Sequence, residues 1–362
     1  MAQSPPLKAN WQYAEGVTSL PRYRTGKDPL DDAIMALIEQ ARLTNDTDLT
    51  FEMIVSALRM GLEHVDRGDM KLVNNSLKEL RYSFHVFETY RSVLKCTIFG
   101  SARTKEDEPE YESARQLGAA MAEREWMVMT GAGPGIMAAG LEGAGTENSF
   151  GINIVLPFEA SANRFIADDP KLINFRYFFT RKLTFMKESS AFASLPGGFG
   201  TMDEAFELLT LMQTGKSEIV PLVLLDPKGS TYWERWRDFV TKELLDANLI
   251  SPADMDLFLI TDDVQEAADE MTHFYSTYHS SRAVGQRLVL RLKRAVSDEE
   301  LTELNGQFSD IIESGAIERI SATDAEVRDG DYPGLDRIAF HFNRHGYARL
   351  RVLINTLNNV AG

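Results

Sequence analysis

Residues 191–204, AFASLPGGFGTMDE, join a short apolar strand to the start of a helix through three glycines in four positions. Glycines at this density let the backbone approach a ligand, because no Cβ stands in the way. Thr201 lies where the N-cap of this helix is expected, so free backbone N–H groups would be exposed at the positive end of the helix dipole, where an anion binds well. The stretch therefore predicts a strand–turn–helix unit with an anion site in its turn.

The same alternation of strand and helix extends through residues 95–260, where short apolar runs end in glycine or turn residues. It predicts an α/β fold, a Rossmann-like doubly wound parallel sheet. We expect strands near residues 96–99, 127–130, 152–156, 175–178, 191–195 and 220–224. We expect helices near residues 111–124, 136–145, 181–189, 202–214 and 232–245. Ligands of such sheets bind beyond the carboxyl ends of the strands, so the site is expected there.

Two flanking regions show other patterns. Residues 1–94 are expected to form an N-terminal arm and a helical extension, since residues 1–29 carry four prolines and residues 31–91 have apolar residues at helical spacing. We assign residues 95–280 to the Rossmann-like domain, which ends in a helix over 262–278. Residues 281–362 are expected to form a small α+β C-terminal domain, with strands at 287–292, 317–320 and 337–342, a helix over 297–314 and a final helix.

Composition excludes several classes of function. The 362 residues carry 38 Lys+Arg and 54 Asp+Glu, and 38 − 54 leaves a net charge of −16, which disfavours nucleic-acid and anionic membrane partners. Cys96 is the one cysteine, so a disulfide or a thiolate metal cluster cannot form within the chain. No histidine lies in residues 95–260, which argues against a Ser/His/Asp apparatus there. We expect a cytoplasmic protein without a metal site.

A second glycine turn, GAGPGIM at 131–137, also lies between a predicted strand and a predicted helix. Its spacing fails the GxGxxG dinucleotide pattern, because Ile136 occupies the third glycine position. A dinucleotide such as NAD is thus the least favoured ligand, and two further interpretations stay open. The turn either connects strand and helix without a ligand, or contacts a phosphate or a sugar through backbone N–H groups near Gly131 and Gly133.

Charged residues near both helix starts also admit two interpretations. Thr201 and Glu204 have the spacing of a capping box, in which the glutamate only returns to the cap N–H. Arg181 and Lys182 are predicted in the first turn of the preceding helix, where two cations oppose the helix dipole unless an anion lies nearby. Both helices follow consecutive strands, so we expect Arg181, Glu204 and the glycine loop to converge.

PGGFGTMDE resembles the PGGxGTxxE signature of the LOG (Lonely Guy) family, long labelled lysine decarboxylase-like. The resemblance extends over roughly residues 95–260, through FGSAR (99–103), GAGPGIM (131–137), LPFE (156–159), FFTRK (178–182) and LLTLMQTGK (208–216). It implies a phosphoribohydrolase that cleaves a nucleoside 5′-monophosphate into free base and ribose 5-phosphate, at a homodimer interface and without a cofactor. The GPGIM turn and the long flanks look more like the larger bacterial nucleotide nucleosidases, which favours ordinary purine or pyrimidine monophosphates.

The resemblance also implies roles for individual residues. Arg181 and Glu204 are the expected catalytic pair. The other expected substrate-site residues are Ser101, Gly131, Gly133, Lys182, Gly197, Gly198, Phe199, Gly200, Thr201 and Thr210. Whether Glu204 activates water or stabilises an oxocarbenium-like state stays open. A nucleotide-cofactor carrier of the same fold that does not hydrolyse its ligand is the alternative function, and a pyridoxal-dependent decarboxylase is a third.

Overall fold

The computed structural model describes residues 23–156 and 162–359 and divides into two compact units, one up to Lys78 and one from Glu79 onward. The predicted arm falls mostly outside these residues, as do the last three residues of LPFE. The predicted domain boundaries near residues 94 and 280 stay predictions. No helix of the described ranges is long and apolar enough to cross a lipid bilayer.

Among the described residues, three helices precede the first strand, as the helical spacing predicted. They are α1 (Asp28–Gln40), α2 (Thr47–Leu62) and α3 (Arg67–Glu88). In the first unit, α1 and α2 bury a small apolar cluster of Ile34, Ile38, Phe51 and Val55. Pairs of residues four apart lie on one face of a helix, so the two faces pack against each other.

Seven strands form one parallel sheet, which confirms the predicted doubly wound architecture. They are β1 (Lys95–Phe99), β2 (Met127–Thr130), β3 (Ser149–Ile154), β4 (Leu172–Phe175), β5 (Ala191–Ser194), β6 (Leu222–Leu225) and β7 (Leu259–Thr261), in the order β4-β3-β2-β1-β5-β6-β7. The helices between and after them are α4 (Pro109–Glu123), α5 (Ile136–Ala144), α6 (Phe178–Glu188), α7 (Phe199–Gln213), α8 (Tyr232–Phe239) and α9 (Val264–His273). The strand order reverses between β1 and β5, so the ligand crevice of such a sheet is expected at their carboxyl ends.

The continuous apolar runs predicted most of the strands, because strands of a parallel sheet are covered on both faces. All five residues of β1 are buried. The prediction was wrong at β4, which ends at Phe175, because α6 already begins at Phe178. The short strand β7 was missed, and the helix predicted over 262–278 ends at His273.

A four-stranded antiparallel sheet completes the chain and confirms the predicted α+β appendage. Its elements are β8 (Tyr278–Val284), β9 (Arg287–Leu292), α10 (Asp298–Gln307), β10 (Ile312–Arg319), α11 (Asp324–Asp329), β11 (Asp336–Phe342) and α12 (Tyr347–Asn359), with strand order β10-β11-β9-β8. The predicted helix over 297–314 ends early. The Asn305 amide bonds both backbone groups of Ile317, at 2.8 and 3.0 Å, so the chain turns back into β10.

Candidate active site

Three turns that follow β1, β2 and β5 meet at one edge of the parallel sheet. The backbone N–H of Ser101 donates to the Pro196 carbonyl at 3.2 Å, and the Ser101 carbonyl accepts from the Ile136 N–H at 3.1 Å. Gly135 has a φ of +66°, and a Cβ there would lie 2.3 Å from the Ser101 carbonyl oxygen. The glycine turns found in the sequence therefore converge at the strand-order reversal.

The loop after β5 presents a row of backbone N–H groups. In the described chain, the N–H groups of the five consecutive residues 197–201 have no hydrogen-bond acceptor, and the first intrahelical bond runs from the Met202 N–H to the Gly198 carbonyl. A Cβ added at Gly198 or Gly200 would meet no described atom within 4 Å, so the space beside the loop is open. Unpaired N–H groups at a helix N-terminus suit an anion such as a phosphate.

The capping-box interpretation is wrong. Helix α7 begins at Phe199 with Gly198 as its N-cap, which places Thr201 inside the first turn. No side-chain hydrogen bond caps this helix. Phe199 is 97% exposed, and Gly197 lies so close to Thr201 that a Cβ would stand 2.1 Å from the threonine hydroxyl oxygen. Glu204 is therefore not engaged in holding the helix start.

Glu204 is a buried carboxylate that lacks a hydrogen-bond partner among the described residues. It is 8% exposed, and its Oε2 atom is fully buried. Burial raises the pKa of Glu204 to about 7, although the charges of Lys182 and Arg181 act in the opposite direction. Desolvation therefore outweighs the effect of both cations on this carboxyl group. An unpaired carboxyl group with a pKa near 7 is typical of a catalytic acid or base.

Arg181 approaches Glu204 from the neighbouring helix α6. Its Nε donates to the Ile152 carbonyl at 2.8 Å, and its guanidinium lies 5.3 Å from the centre of the Phe185 ring. The terminal nitrogens have no hydrogen-bond acceptor within the described ranges. Burial lowers the pKa of Arg181 and the charge of Glu204 raises it, yet the two do not form an ion pair. Arg181 therefore has donors to offer an anionic or hydroxylated ligand beside Glu204.

Lys182 lies next to Arg181 but is already paired. Its ammonium contacts Asp203 at 2.7 Å and Glu207 at 2.5 Å, and its side chain is 15% exposed. These contacts join α6 to α7. The predicted contact of Lys182 with substrate stays a prediction.

The helix-dipole inference also changes with the structure. Because α6 begins at Phe178, Arg181 is its fourth residue rather than its first. A protein anion stands at this helix start, since Glu79 accepts from the Arg176 N–H at 2.9 Å and from the Thr180 hydroxyl at 2.7 Å. Arg181 and Lys182 led us to expect a negative group at this helix start, and the carboxylate of Glu79 is one such group.

Thr210 and Glu204 lie on the same helix, α7, but their side chains do not come together. Thr210 is exposed and donates its hydroxyl to the Phe206 carbonyl at 2.8 Å. Six residues along an α-helix correspond to about 9 Å of rise and about 240° of rotation, so the two side chains leave different faces.

Three residues outside the predicted set also shape the site. Glu79 holds the start of α6, Asn163 donates to the carbonyls of Ala132 and Gly133 at 2.8 and 2.9 Å, and Tyr232 donates to the Gly197 carbonyl at 2.5 Å. Their partners are up to 101 positions away in sequence, so the local spacing of residues could not have predicted them.

No group of three or more His, Cys, Asp or Glu that could hold a metal ion occurs in residues 23–156 and 162–359.

Comparison with known proteins identifies the family. A family model described as "Possible lysine decarboxylase" matches residues 129–271. Over 160 residues the chain is 31% identical to the cytokinin riboside 5′-monophosphate phosphoribohydrolase of Mycobacterium tuberculosis, a match that covers 43% of this chain and 82% of that protein. The chain belongs to the LOG family. The family-model match contains every predicted site residue except Ser101.

Other relatives of this LOG-family chain are larger or more distant. It is 29% identical over 180 residues to the pyrimidine/purine nucleotide 5′-monophosphate nucleosidase of Escherichia coli, with 46% of this chain and 37% of that protein covered. Among solved structures, the molybdenum cofactor binding protein of Rippkaea orientalis is 18% identical, with a TM-score of 0.36 and coverage of 49% of this chain and 94% of that one. That TM-score is too low to support an inference, so the fold assignment rests on the strand order.

Proposed function

We propose that this LOG-family protein hydrolyses the N-glycosidic bond of nucleoside 5′-monophosphates to free base and ribose 5-phosphate. The observation that carries the proposal is the buried carboxylate of Glu204 beside Arg181, at the sheet edge where the glycine loop presents its N–H groups. Within residues 23–156 and 162–359, this carboxylate has no hydrogen-bond partner. The activities named for the relatives agree with it. Ordinary purine or pyrimidine monophosphates are the proposed substrates.

The loop residues Gly197, Gly198, Phe199, Gly200 and Thr201 are proposed to bind the 5′-phosphate. Their backbone N–H groups have no acceptor among the described residues, and they lie at the start of α7, where the helix dipole favours a negative charge. The turns with Ser101, Gly131 and Gly133 border the same edge. Binding energy from the phosphate would then hold the sugar against Glu204, so nucleosides without phosphate should react poorly.

The chemical step breaks the bond between C1′ of the ribose and the base nitrogen. The base leaves with the bonding electron pair and takes up a proton, while water supplies the hydroxyl group that C1′ gains. Positive charge develops on the ribose as the base leaves, and the carboxylate of Glu204 would stabilise it or take a proton from the attacking water. The terminal nitrogens of Arg181 have no acceptor in the part of the chain that the structure describes, and they would bind phosphate or ribose and orient the sugar.

A homodimer is part of the proposal. Phe178, Phe179 and Leu183 are 52%, 51% and 49% exposed on α6, the helix that carries Arg181. An exposed apolar surface beside a proposed site indicates a partner that covers it. Thr210 and Glu204 point from different faces of the same helix. In a dimer, Thr210 could instead line the substrate site of the other copy.

The cytoplasm is the proposed location.

The test is to incubate the purified protein with AMP, GMP, CMP and UMP, and with adenosine as the substrate that lacks phosphate, and to measure released base by chromatography. We expect base release from the nucleotides, little from adenosine, and large losses in Glu204→Gln and Arg181→Ala. The control is Glu123→Gln, a change of the same kind at an exposed residue that ends α4. Nucleotide binding in a thermal-shift assay without base release would favour the carrier function instead, and an absorbance band of bound pyridoxal would favour the decarboxylase.

A further inference from the structure

Tyr232 bonds the glycine loop from a distant helix. Its hydroxyl donates to the Gly197 carbonyl at 2.5 Å, across 35 residues of sequence. The start of α8 that carries it is itself anchored, because Asp226 accepts from the Trp233 N–H at 3.0 Å and from the Ser230 hydroxyl at 2.8 Å. Asp226 is 2% exposed and Trp233 is fully buried, so this anchor is rigid.

The direction of this hydrogen bond controls the direction of the loop N–H groups. In a trans peptide unit the C=O and N–H point in opposite directions. Binding the Gly197 carbonyl toward Tyr232 therefore turns the Gly198 N–H away from Tyr232. One residue earlier, the Ser101 N–H holds the Pro196 carbonyl at 3.2 Å and fixes the Gly197 N–H in the same manner.

The loop needs such outside restraint because it has few side chains of its own. Gly197, Gly198 and Gly200 lack a Cβ, and glycine loses more conformational freedom on ordering than any other residue. Phe199 is 97% exposed, so its ring packs against little of its own chain. Without the Tyr232 and Ser101 contacts, the two peptide units before α7 would have fewer restraints on their rotation.

We propose that Tyr232 is a positioning residue that holds the Gly197–Gly198 peptide unit so that the loop can bind a phosphate monoester. The phosphate as ligand rests on the proposed function. Tyr232 acts through the Gly197 carbonyl and touches neither the phosphate nor the glycosidic bond. Its contribution lies in substrate binding, with KM rather than kcat as its expected signature.

The matched control is Tyr275, whose hydroxyl donates to the Ser190 carbonyl at 2.7 Å. Ser190 precedes β5 and Gly197 follows it, so Tyr232→Phe and Tyr275→Phe each remove one tyrosine–carbonyl hydrogen bond at opposite ends of the same strand. Three measurements apply to both variants. They are steady-state kinetics on AMP, the Kd of ribose 5-phosphate by calorimetry, and amide hydrogen exchange of a peptide that spans residues 197–201.

For Tyr232→Phe we expect KM for AMP and the Kd for ribose 5-phosphate to rise about three- to tenfold, the loss typical of one hydrogen bond. We expect kcat to stay within about twofold and exchange at residues 197–201 to speed up. Tyr275→Phe should keep the wild-type KM, Kd and loop exchange. Tyr232→Leu, a second variant without the hydroxyl, should change the KM, the Kd and the loop exchange in the same direction as Tyr232→Phe.

Other results overturn the proposal. They are an unchanged KM and Kd in Tyr232→Phe, an equal effect of both Phe variants, or a fall in kcat at constant KM. If the wild type releases no base but binds ribose 5-phosphate, the proposed hydrolysis fails while the Kd and exchange measurements still decide the role of Tyr232. If the wild type neither releases base nor binds ribose 5-phosphate, both proposals are wrong.

Discussion

The Nη2 atom of Arg181 lies against the α-carbon of Gly131, so close that a Cβ on that glycine would be 2.2 Å from it. The same Cβ would stand 2.6 Å from the sulfur of Met137. Only a residue without a side chain leaves room for the guanidinium in this position. The turn after β2 therefore packs closely against the Arg181 side chain of α6. Gly131 makes room for the guanidinium, in addition to any contact that its backbone N–H makes.

Gly131→Ala should therefore displace the guanidinium of Arg181 and lower kcat/KM for nucleotides by up to about a hundredfold, the cost of misplacing a group by about 1 Å. Steady-state kinetics measures this loss. Gly306→Ala is the control, because a Cβ on that glycine of α10 would meet no described atom within 4 Å. Wild-type kinetics in Gly131→Ala would show that the position of Arg181 does not matter for turnover.

The pH profile should report the titration of Glu204. Its ionised form is the one that stabilises positive charge or accepts a proton, and burial raises its pKa to about 7. We expect kcat/KM, which reflects the free enzyme, to increase with pH and to level off above about 7. A profile without an inflection between pH 6 and 8 would argue against Glu204 as the titrating group, and Glu123→Gln should keep the wild-type curve.

The buried carboxyl group of Glu204 should also reduce the stability of the folded protein at alkaline pH. The pKa of Glu204 is about 7 in the folded chain, against an ordinary value of 4.5 for a glutamate. The folded state therefore binds more protons between these pH values, and the free energy of unfolding falls as the pH rises through them. The difference corresponds to roughly 3 kcal/mol. Urea unfolding should find Glu204→Gln more stable than wild type by up to that amount at pH 8, with a much smaller gain at pH 5. An equal gain at both pH values would contradict the titration.

Lys182 and its two carboxylate partners should shift the pKa of Glu204 in opposite directions. The charge of Lys182 lowers that pKa, whereas the charges of Glu207 and Asp203 raise it. Lys182→Met should therefore move the inflection of the pH–rate profile to higher pH, and the double variant Asp203→Asn/Glu207→Gln should move it to lower pH. Lys182→Arg keeps the charge and is the control. A shift in the same direction for both changes would rule out this electrostatic account.

The proposed dimer can be tested on the apolar face of α6. Phe179→Glu places a charge where we propose that a second copy packs, so it should lower the molar mass found by light scattering and reduce turnover together with it. Leu249→Glu is the control, because Leu249 is 69% exposed and lies outside α6. A wild type that is monomeric at the concentration of the activity assay would contradict the dimer.

Most of the fold was predictable, because buried parallel strands are short apolar runs and the helices between them have an amphipathic period. The errors arise where the local sequence is ambiguous and a distant contact takes part. The boundary between β4 and α6 was misplaced because the aromatic run at residues 177–179 fits a strand as well as a helix start. Glu79 bonds Arg176 and Thr180 at this boundary from outside the local sequence. At β10, the Asn305 amide of the preceding helix bonds the backbone of Ile317, a contact that only the folded chain contains.

By itself, the sequence predicted the sheet and the glycine turns at its carboxyl edge, because strand periodicity and glycine freedom are local properties of the chain. The resemblance to the LOG family pointed to Arg181 and Glu204 as the expected catalytic pair. The tertiary structure decided what surrounds these two residues. It showed that Glu204 is buried without a hydrogen-bond partner among the described residues, that Lys182 is held by Asp203 and Glu207, and that Tyr232 bonds the Gly197 carbonyl. Burial, pKa and the direction of a peptide unit depend on groups that are distant in sequence, so no local pattern could contain them.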